Sequence, residues 1–267
     1  MPFPTAPRVL YEKNPLDTVV CQLRFPAILK IDAELPAQFQ DTIRHEFPNF
    51  TERSELRVPM PMEIRDQIPK EVLGAMMGVA SSSKNYEFTS IEGEWIVNLT
   101  RSHIALANKR KYRKWEEFRA KLEKPLEALI RIYSPSFITR IGLRYVDVVK
   151  RSDLGLTNVP WRTLLAPPMA GLLGSSDVGD EVEMVQNMSQ ITLPDGESKA
   201  KIVSRLIQGK NGTEEQSFVI DSDFSLNQKT SNEKIFEKLD FFHIQASRLI
   251  QWAFTDRLKV SMKPESI

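Results

Sequence analysis

The stretch YRKWEEFRAKLEKPLEALIRIYSPSFITRIGLRYVDVV, residues 112–149, decides the fold because a long amphipathic helix leads directly into a strand. Its first part repeats apolar residues every three or four positions, which predicts a helix. Pro125 lies inside this pattern and predicts a kink, since proline removes one backbone donor. The sequence RIGLRYVDVV, residues 140–149, then predicts a strand with Arg140 and Arg144 on one face.

Both halves of the chain contain the same order of strands followed by a long helix. Alternating apolar and polar side chains in DTVVCQLRF, residues 17–25, predict a strand with one buried face. Residues 181–220 predict a three-stranded meander joined by tight turns. A helix over residues 232–254 and a terminal strand in RLKVSMK, residues 257–263, complete the pattern of the second half.

The sequence therefore predicts an α+β protein of two antiparallel halves, each with a sheet and a long helix, which can share one sheet. Residues 1–150 form the N-terminal half and residues 181–267 form the C-terminal half. Between them, residues 151–180 are rich in proline, glycine and serine, which is typical of a crossover or linker. Within the first half, residues 51–83 predict one or two edge strands and a loop.

Composition limits the classes of function that the whole chain can serve. The 267 residues include 36 basic and 35 acidic side chains, for a net charge of +1, so any contact with nucleic acid needs a local patch. No apolar run approaches the roughly 20 residues that cross a bilayer. The single cysteine and the absence of an apolar signal segment at the start favour a cytoplasmic protein without a membrane association.

Four segments, in this order, resemble a family of prokaryotic proteins that are distributed irregularly among genomes and have no assigned activity. They are YEKNPLDTVVCQLRF at 11–25, WIVNLTRSHIALANKRKYRKWEEF at 95–118, IGLRYVD at 141–147, and the late helix in which His243 precedes IQASRLIQWAF. The family pattern has asparagine where this chain has Asp147. The resemblance implies architecture but no catalytic residue. Irregular distribution is typical of mobile elements, which suggests a component of an antiphage defence or toxin–antitoxin system.

A basic segment precedes the first long helix and carries five cations within six positions. They are Lys109, Arg110, Lys111, Arg113 and Lys114, with Tyr112 among them. Basic side chains neutralise phosphates and aromatic rings stack on unpaired bases, so this segment predicts a contact with nucleic acid or an acidic partner. The alternative is a solvated face on which Arg119 and Glu123, and similar pairs, neutralise each other one turn apart.

Three arginines form a second candidate site, for an anion or a partner. Arg24 on the first strand can meet Arg140 and Arg144 if the two strands are neighbours, and guanidinium groups suit carboxylates and phosphates. Gly142 leaves room for a close approach. The alternative is that the arginines pair with acidic side chains across the sheet.

The remaining chemistry-bearing residues predict no catalytic, metal or cofactor site. Asp221 and Asp223 have the spacing of a cation-binding pair, which leaves a metal-dependent hydrolase or nuclease as an alternative, but acids at alternate strand positions are common. The three histidines are too far apart in sequence for a local zinc site. Cys21 lies on the apolar face of its strand and predicts a packed thiol.

The leading hypothesis is therefore a non-catalytic interaction protein. We expect it to bind a protein partner encoded by a neighbouring gene, through the sheet edge or the basic start of the helix. A nucleic-acid-binding module that uses residues 109–114 is the second hypothesis, and the hydrolase or nuclease is the third. A homodimer is the default expectation for assembly, because symmetric dimers are common.

Overall fold

The computed structural model describes residues 2–55, 83–109, 112–208 and 215–265. Its strands are β1 (Leu10–Tyr11), β2 (Leu16–Arg24), β3 (Asn49–Glu55), β4 (Ser83–Thr89), β5 (Trp95–Thr100), β6 (His103–Lys109), β7 (Arg140–Lys150), β8 (Val185–Thr192), β9 (Lys199–Ile207), β10 (Ser217–Leu226) and β11 (Pro264–Glu265). Its α-helices are α1 (Lys30–Ala33), α2 (Ala37–Ile43), α3 (Trp115–Tyr133), α4 (Pro167–Ala170), α5 (Ile235–Ala253) and α6 (Asp256–Ser261).

Within the described ranges, strands from both halves form one antiparallel sheet of nine strands, in the order β3-β4-β5-β6-β2-β7-β10-β9-β8. The halves meet where β7 pairs with β10, from Ile141 opposite Leu226 to Lys150 opposite Ser217. The predicted α+β fold is therefore confirmed, and the two halves share a sheet. The part of the 51–83 prediction that concerns residues 56–82 lies outside the described residues.

One face of this sheet carries the core. The alternation predicted for residues 17–25 is confirmed, because Val19, Cys21 and Leu23 are completely buried. On β7 the inward positions are Ile141, Leu143, Tyr145, Asp147 and Val149, all of them buried. The sheet thus buries a nearly continuous apolar surface in which Asp147 is an ionisable exception.

The two long helices cover this buried face. α3 packs against α2 and β6, and it continues through the buried Pro125 to Tyr133. α5 packs across β7 and β10. No helix in the described ranges combines the length and the apolar character that crossing a membrane requires.

Residues 151–180 connect β7 to β8, which lie on opposite sides of β10 and β9. The segment forms short 3-10 turns and α4, and it buries Trp161, Leu164 and Leu165. An isolated bridge joins Leu165 to Phe254, just after α5. This connection therefore packs on the core beside α5.

The predicted terminal strand at residues 257–263 is wrong, because Asp256–Ser261 is the helix α6. A strand would bury Leu258, Val260 and Met262 on one face, yet Val260 is 69% exposed while Leu258 and Met262, four residues apart, are completely buried. The Thr255 hydroxyl accepts a hydrogen bond from the Leu258 amide and caps the helix. The apolar pattern of residues 257–263 is too short to distinguish a strand from a helix. The four-residue spacing of the buried side chains and the capping threonine favour the helix.

The N-terminal arm, residues 2–15, packs against the two long helices α3 and α5. Phe3 is buried against Trp252, with ring centroids 5.8 Å apart. Farther along, β1 pairs with β11 near the C-terminus. These contacts place Arg8 of the arm beside the start of α3, where its guanidinium bonds Glu116.

Candidate functional site

The structure brings the three candidate arginines to one face of the sheet. Arg24 and Arg140 are directly opposite each other on β2 and β7. The Nη2 of Arg140 donates to both carboxylate oxygens of Asp223, at 2.9 and 2.7 Å. Arg144 donates to Asp221 through Nε and Nη2, at 2.7 and 2.6 Å. The cross-strand acids that the alternative interpretation required are therefore present.

Gly142 provides the space that Arg140 uses to reach its partner. A Cβ at this position would lie 2.0 Å from the Nη1 of Arg140, so the guanidinium lies directly over the glycine. Gln22 accepts hydrogen bonds from Arg24 at 2.9 Å and from Arg140 at 3.3 Å. The space above Gly142 is therefore filled by the guanidinium group of Arg140 and not by a ligand from outside the chain. Binding of an outside anion by Arg24, Arg140 and Arg144 stays a prediction.

Asp221 and Asp223, the basis of the hydrolase alternative, are occupied by these two ion pairs. Among the described residues, no group of three or more histidine, cysteine or acidic side chains is placed to hold a metal ion. Both ion pairs link β7 to β10, and the bidentate pair of Arg144 with Asp221 is the more directional of the two.

The basic segment is partly described. Lys109, Arg113 and Lys114 are exposed, whereas Arg110 and Lys111 lie outside the described residues. Arg113 approaches Glu265 at 3.9 Å. Within α3, the predicted pair of Arg119 and Glu123 is present at 2.7 Å. Pairing between neighbouring turns thus occurs inside the helix, while Lys109, Arg113 and Lys114 before it are exposed. The contact of the basic segment with nucleic acid stays a prediction.

A cavity that the sequence did not predict lies between the N-terminal arm, the start of α3, β7 and α5. Its volume is about 90 Å³, and it is partly open to solvent. Tyr112, Trp115, Tyr145 and His243 contribute rings to its wall, and Asp147 contributes a carboxyl group. We call it the Asp147 cavity. It combines apolar rings with a few polar groups, as small-ligand sites do.

Asp147 is the most unusual residue of this cavity. It is only 4% exposed, and it makes no hydrogen bond or ion pair with any described residue. Burial raises the pKa of its carboxyl group to about 7, because the charged form loses its hydration. Buried carboxyl groups normally have a partner, so this one leaves a hydrogen-bonding position open.

His243 and Tyr145 form the wall beside Asp147. The Tyr145 hydroxyl and His243 Nδ1 lie 3.1 Å apart and share a hydrogen bond. The imidazole stacks on Trp115 with centroids 5.0 Å apart, and Trp115 Nε1 donates to Asp240 at 2.6 Å. Burial lowers the pKa of His243 to about 4, so the ring is neutral at pH 7. Its Nε2 is buried without a hydrogen-bond partner in the described part of the chain.

At the mouth of the cavity, Arg8 bonds Glu116 through both of its terminal nitrogens, at 2.5 and 2.8 Å. This pair holds the pKa of Glu116 at about 2. The arginine is therefore neutralised by Glu116 in the first turn of α3. Tyr112 meets Tyr145 edge-on, with centroids 6.1 Å apart, and burial raises the pKa of both phenols.

Sequence reasoning did not nominate Arg8, Tyr145, Asp147 or His243 as binding residues, and Tyr112 entered only as part of the basic segment. One signal was available in IGLRYVDVV, where Ile141, Leu143, Tyr145 and Val149 occupy inward positions and Asp147 falls on the same face. A single acidic residue among apolar residues at the inward-facing positions of a strand indicates a buried carboxyl group. Its lack of a partner could not be predicted, because it depends on which elements cover β7.

Neither a scan against protein-family models nor a search of curated proteins gave a match. The resemblance to the irregularly distributed prokaryotic family therefore stays a prediction. The function has to be argued from the geometry of the described residues.

Proposed function

We propose that this chain is a non-catalytic interaction protein that binds an extended segment of a protein partner along β8. The observation that carries this proposal is the composition and exposure of that strand. β8, VQNMSQIT, contains no charged residue and no proline, and residues 186–190 are all exposed. In the described part of the chain, it pairs with β9 on one side and has no strand on the other.

Free edges of this kind are normally guarded. Native sheets protect an edge strand with lysines, prolines, bulges or a covering segment, because the unpaired backbone groups accept a further strand. β8 pairs with β9 in regular register over its whole length, from Val185 opposite Leu206 to Thr192 opposite Lys199. Met188 within β8 is 67% exposed, and Met184, the residue directly before the strand, is 82% exposed. A regular, uncharged edge with exposed methionines favours strand addition by a partner.

The resemblance to a family associated with mobile elements directs the choice of partner. We therefore place the protein in a defence or toxin–antitoxin type of system, and a protein encoded by a neighbouring gene is the first partner to test. The site residues support binding more than chemistry, since Arg140 and Arg144 hold both carboxylates of the Asp221 and Asp223 pair.

The test is co-expression with the neighbouring genes, followed by affinity measurement on the isolated complex. Met188→Lys places a charge on the free edge, and we expect it to weaken partner binding by about tenfold or more, since lysine is a natural edge guard. Thr51→Lys, an exposed position on the opposite edge strand β3, is the matched control and should bind normally. Equal binding by Met188→Lys and wild type would refute strand addition at β8. If the wild-type chain forms a homodimer and Met188→Lys is monomeric, the strand added at β8 belongs to a second copy of this chain and not to another protein.

A nucleic-acid contact is the second candidate, because Lys109, Arg113 and Lys114 are all exposed. Steep loss of DNA or RNA binding with added salt, removed by replacing the three with alanine, is expected if they neutralise phosphates. Absence of binding at low salt would eliminate this candidate. The hydrolase alternative stays a prediction that Asp221→Ala tests, because unchanged activity in that variant would exclude Asp221 from any reaction.

A further inference from the structure

We propose that the Asp147 cavity is a binding site for the head group of a small organic ammonium ion. The proposal is independent of strand addition, since the cavity opens beside the N-terminal arm and not along β8. It rests on the unpaired carboxyl group of Asp147, on the aromatic walls around it, and on the size of the space.

The carboxyl group sets the charge of the ligand. A carboxylate that is 4% exposed and unpaired among the described residues is costly to keep buried, and a cation with N–H donors removes that cost directly. The nearest basic side chain of the arm, Arg8, is held by Glu116. Arg113 and Lys114 line the mouth but are exposed to solvent. An outside cation is therefore the missing partner.

The walls select an organic cation over a metal ion. Tyr112, Trp115 and Tyr145 line the same cavity as Asp147, and the faces of aromatic rings attract ammonium groups. A divalent metal would need several oxygen or nitrogen ligands, and the described residues contain no suitable group of three. His243 is neutral and adds no positive charge at pH 7.

The volume limits the ligand to a small group. A cavity of about 90 Å³ has room for a few heavy atoms, since a single water needs about 10–15 Å³ of the same kind of volume. An alkylammonium head group fits this space, while a nucleotide or a larger cofactor does not.

The protonation of Asp147 should make the affinity for an ammonium ion depend on pH. With a pKa of about 7, it is mostly protonated at pH 6 and mostly ionised at pH 8. The titratable and charged groups that line the cavity with it are Tyr145 on the same strand, Tyr112, Arg113 and Lys114 before α3, His243 on α5, and Arg8 and Tyr11 on the arm. Burial raises the pKa of Tyr112 and Tyr145, Glu116 raises the pKa of Arg8, and burial lowers the pKa of His243, so none of these four groups changes charge between pH 6 and 8. Affinity for an alkylammonium should therefore rise about tenfold across this range.

The experiment is calorimetric titration of the full chain with n-butylammonium chloride at pH 8, with n-butanol as the uncharged probe and sodium chloride at matched ionic strength. We expect saturable binding of the ammonium and at least a tenfold weaker response to butanol. Asp147→Asn should lose the ammonium affinity by at least tenfold. Glu92→Gln, an exposed acid in the turn after β4, is the charge-matched control and should bind as wild type does.

Three outcomes would overturn the proposal: equal affinity for butanol, unchanged affinity in Asp147→Asn, or no saturable binding of butylammonium. The folding of Asp147→Asn is checked by measuring its free energy of unfolding as a function of pH and comparing it with that of the wild type. The wild-type chain holds a proton on Asp147 up to about pH 7, whereas the unfolded chain releases it near 3.8. Stability therefore falls as the pH rises through this window. The variant should be the more stable protein at pH 8, with a difference that vanishes near pH 4.

Discussion

Among the described strands, β3 and β8 are the two edges of the sheet, and they differ in the features that usually protect an edge strand. β3, NFTERSE, carries Glu52 and Arg53, and these charges pair with Lys84 and Glu87 on the neighbouring β4. β8 carries no charge over eight residues. One edge strand of this sheet carries protective charges and the other does not. Because natural sheets usually protect their edge strands, the unprotected strand β8 is the better candidate for binding a partner.

The edges also differ in how their side chains are anchored. Phe50 of β3 packs its ring against Phe88 and Tyr86, with centroids 5.3 and 6.1 Å away. The largest exposed side chain of β8, Met188, faces solvent with 67% of its surface. β3 is thus held by an aromatic cluster as well as backbone bonds. The core contacts of β8 come from Val185 and Ile191 near its two ends, while residues 186–190 between them are exposed.

The largest expected effect on stability comes from Phe50→Ala. Because the ring is 41% exposed, it should cost about 1–2 kcal/mol, less than a fully buried phenylalanine. Met188→Ala is the matched change on the other edge. Urea unfolding of both variants measures the difference, and an equal loss in the two would show that β8 is anchored as firmly as β3.

A smaller effect is expected from removing a guard. Arg53→Val replaces a 62% exposed side chain that pairs with Glu87 at 2.9 Å. Loss of this surface ion pair should change the free energy of unfolding by about 0.5 kcal/mol or less. The informative readout is self-association, which should increase with concentration in sedimentation experiments because β3 becomes a less charged edge. A variant as monodisperse as wild type would indicate that Arg53 does not guard β3.

The smallest expected effect is that of Met188→Lys on the isolated chain. An exposed position tolerates lysine, so the free energy of unfolding should change by about 0.5 kcal/mol or less. Thermal or urea unfolding of the purified variant measures it. A large destabilisation would mean that loss of partner binding in this variant reports unfolding, and the comparison with Thr51→Lys would then lose its force.

Local patterns predicted the individual elements of the fold better than their assembly. The alternation around Val19, Cys21 and Leu23 identified β2, and the spacing from Trp115 to Leu129 identified α3. These signals are local because each depends on one buried face. The order of strands depends on register between distant segments, so the sequence predicted only that the two halves can share one sheet and not that β7 pairs with β10.

The candidate sites show the same limit. Arg140 and Arg144 were nominated from their positions, yet their partners Asp223 and Asp221 became evident only from the pairing of β7 with β10. Asp147 was noticed only as a departure from the asparagine of the family pattern. Its isolation depends on the arm, on α3 and on α5 together, and no short pattern encodes that combination.

Hydrogen exchange of the free protein and of its complex with the co-expressed partner tests the central claim most directly. Strand addition predicts that amides within residues 185–192 become protected in the complex, at alternate positions, because the others already bond to β9. The amides of β3 should exchange equally in both samples. Protection confined to residues 49–55 or 109–114, with β8 unchanged, would contradict the account.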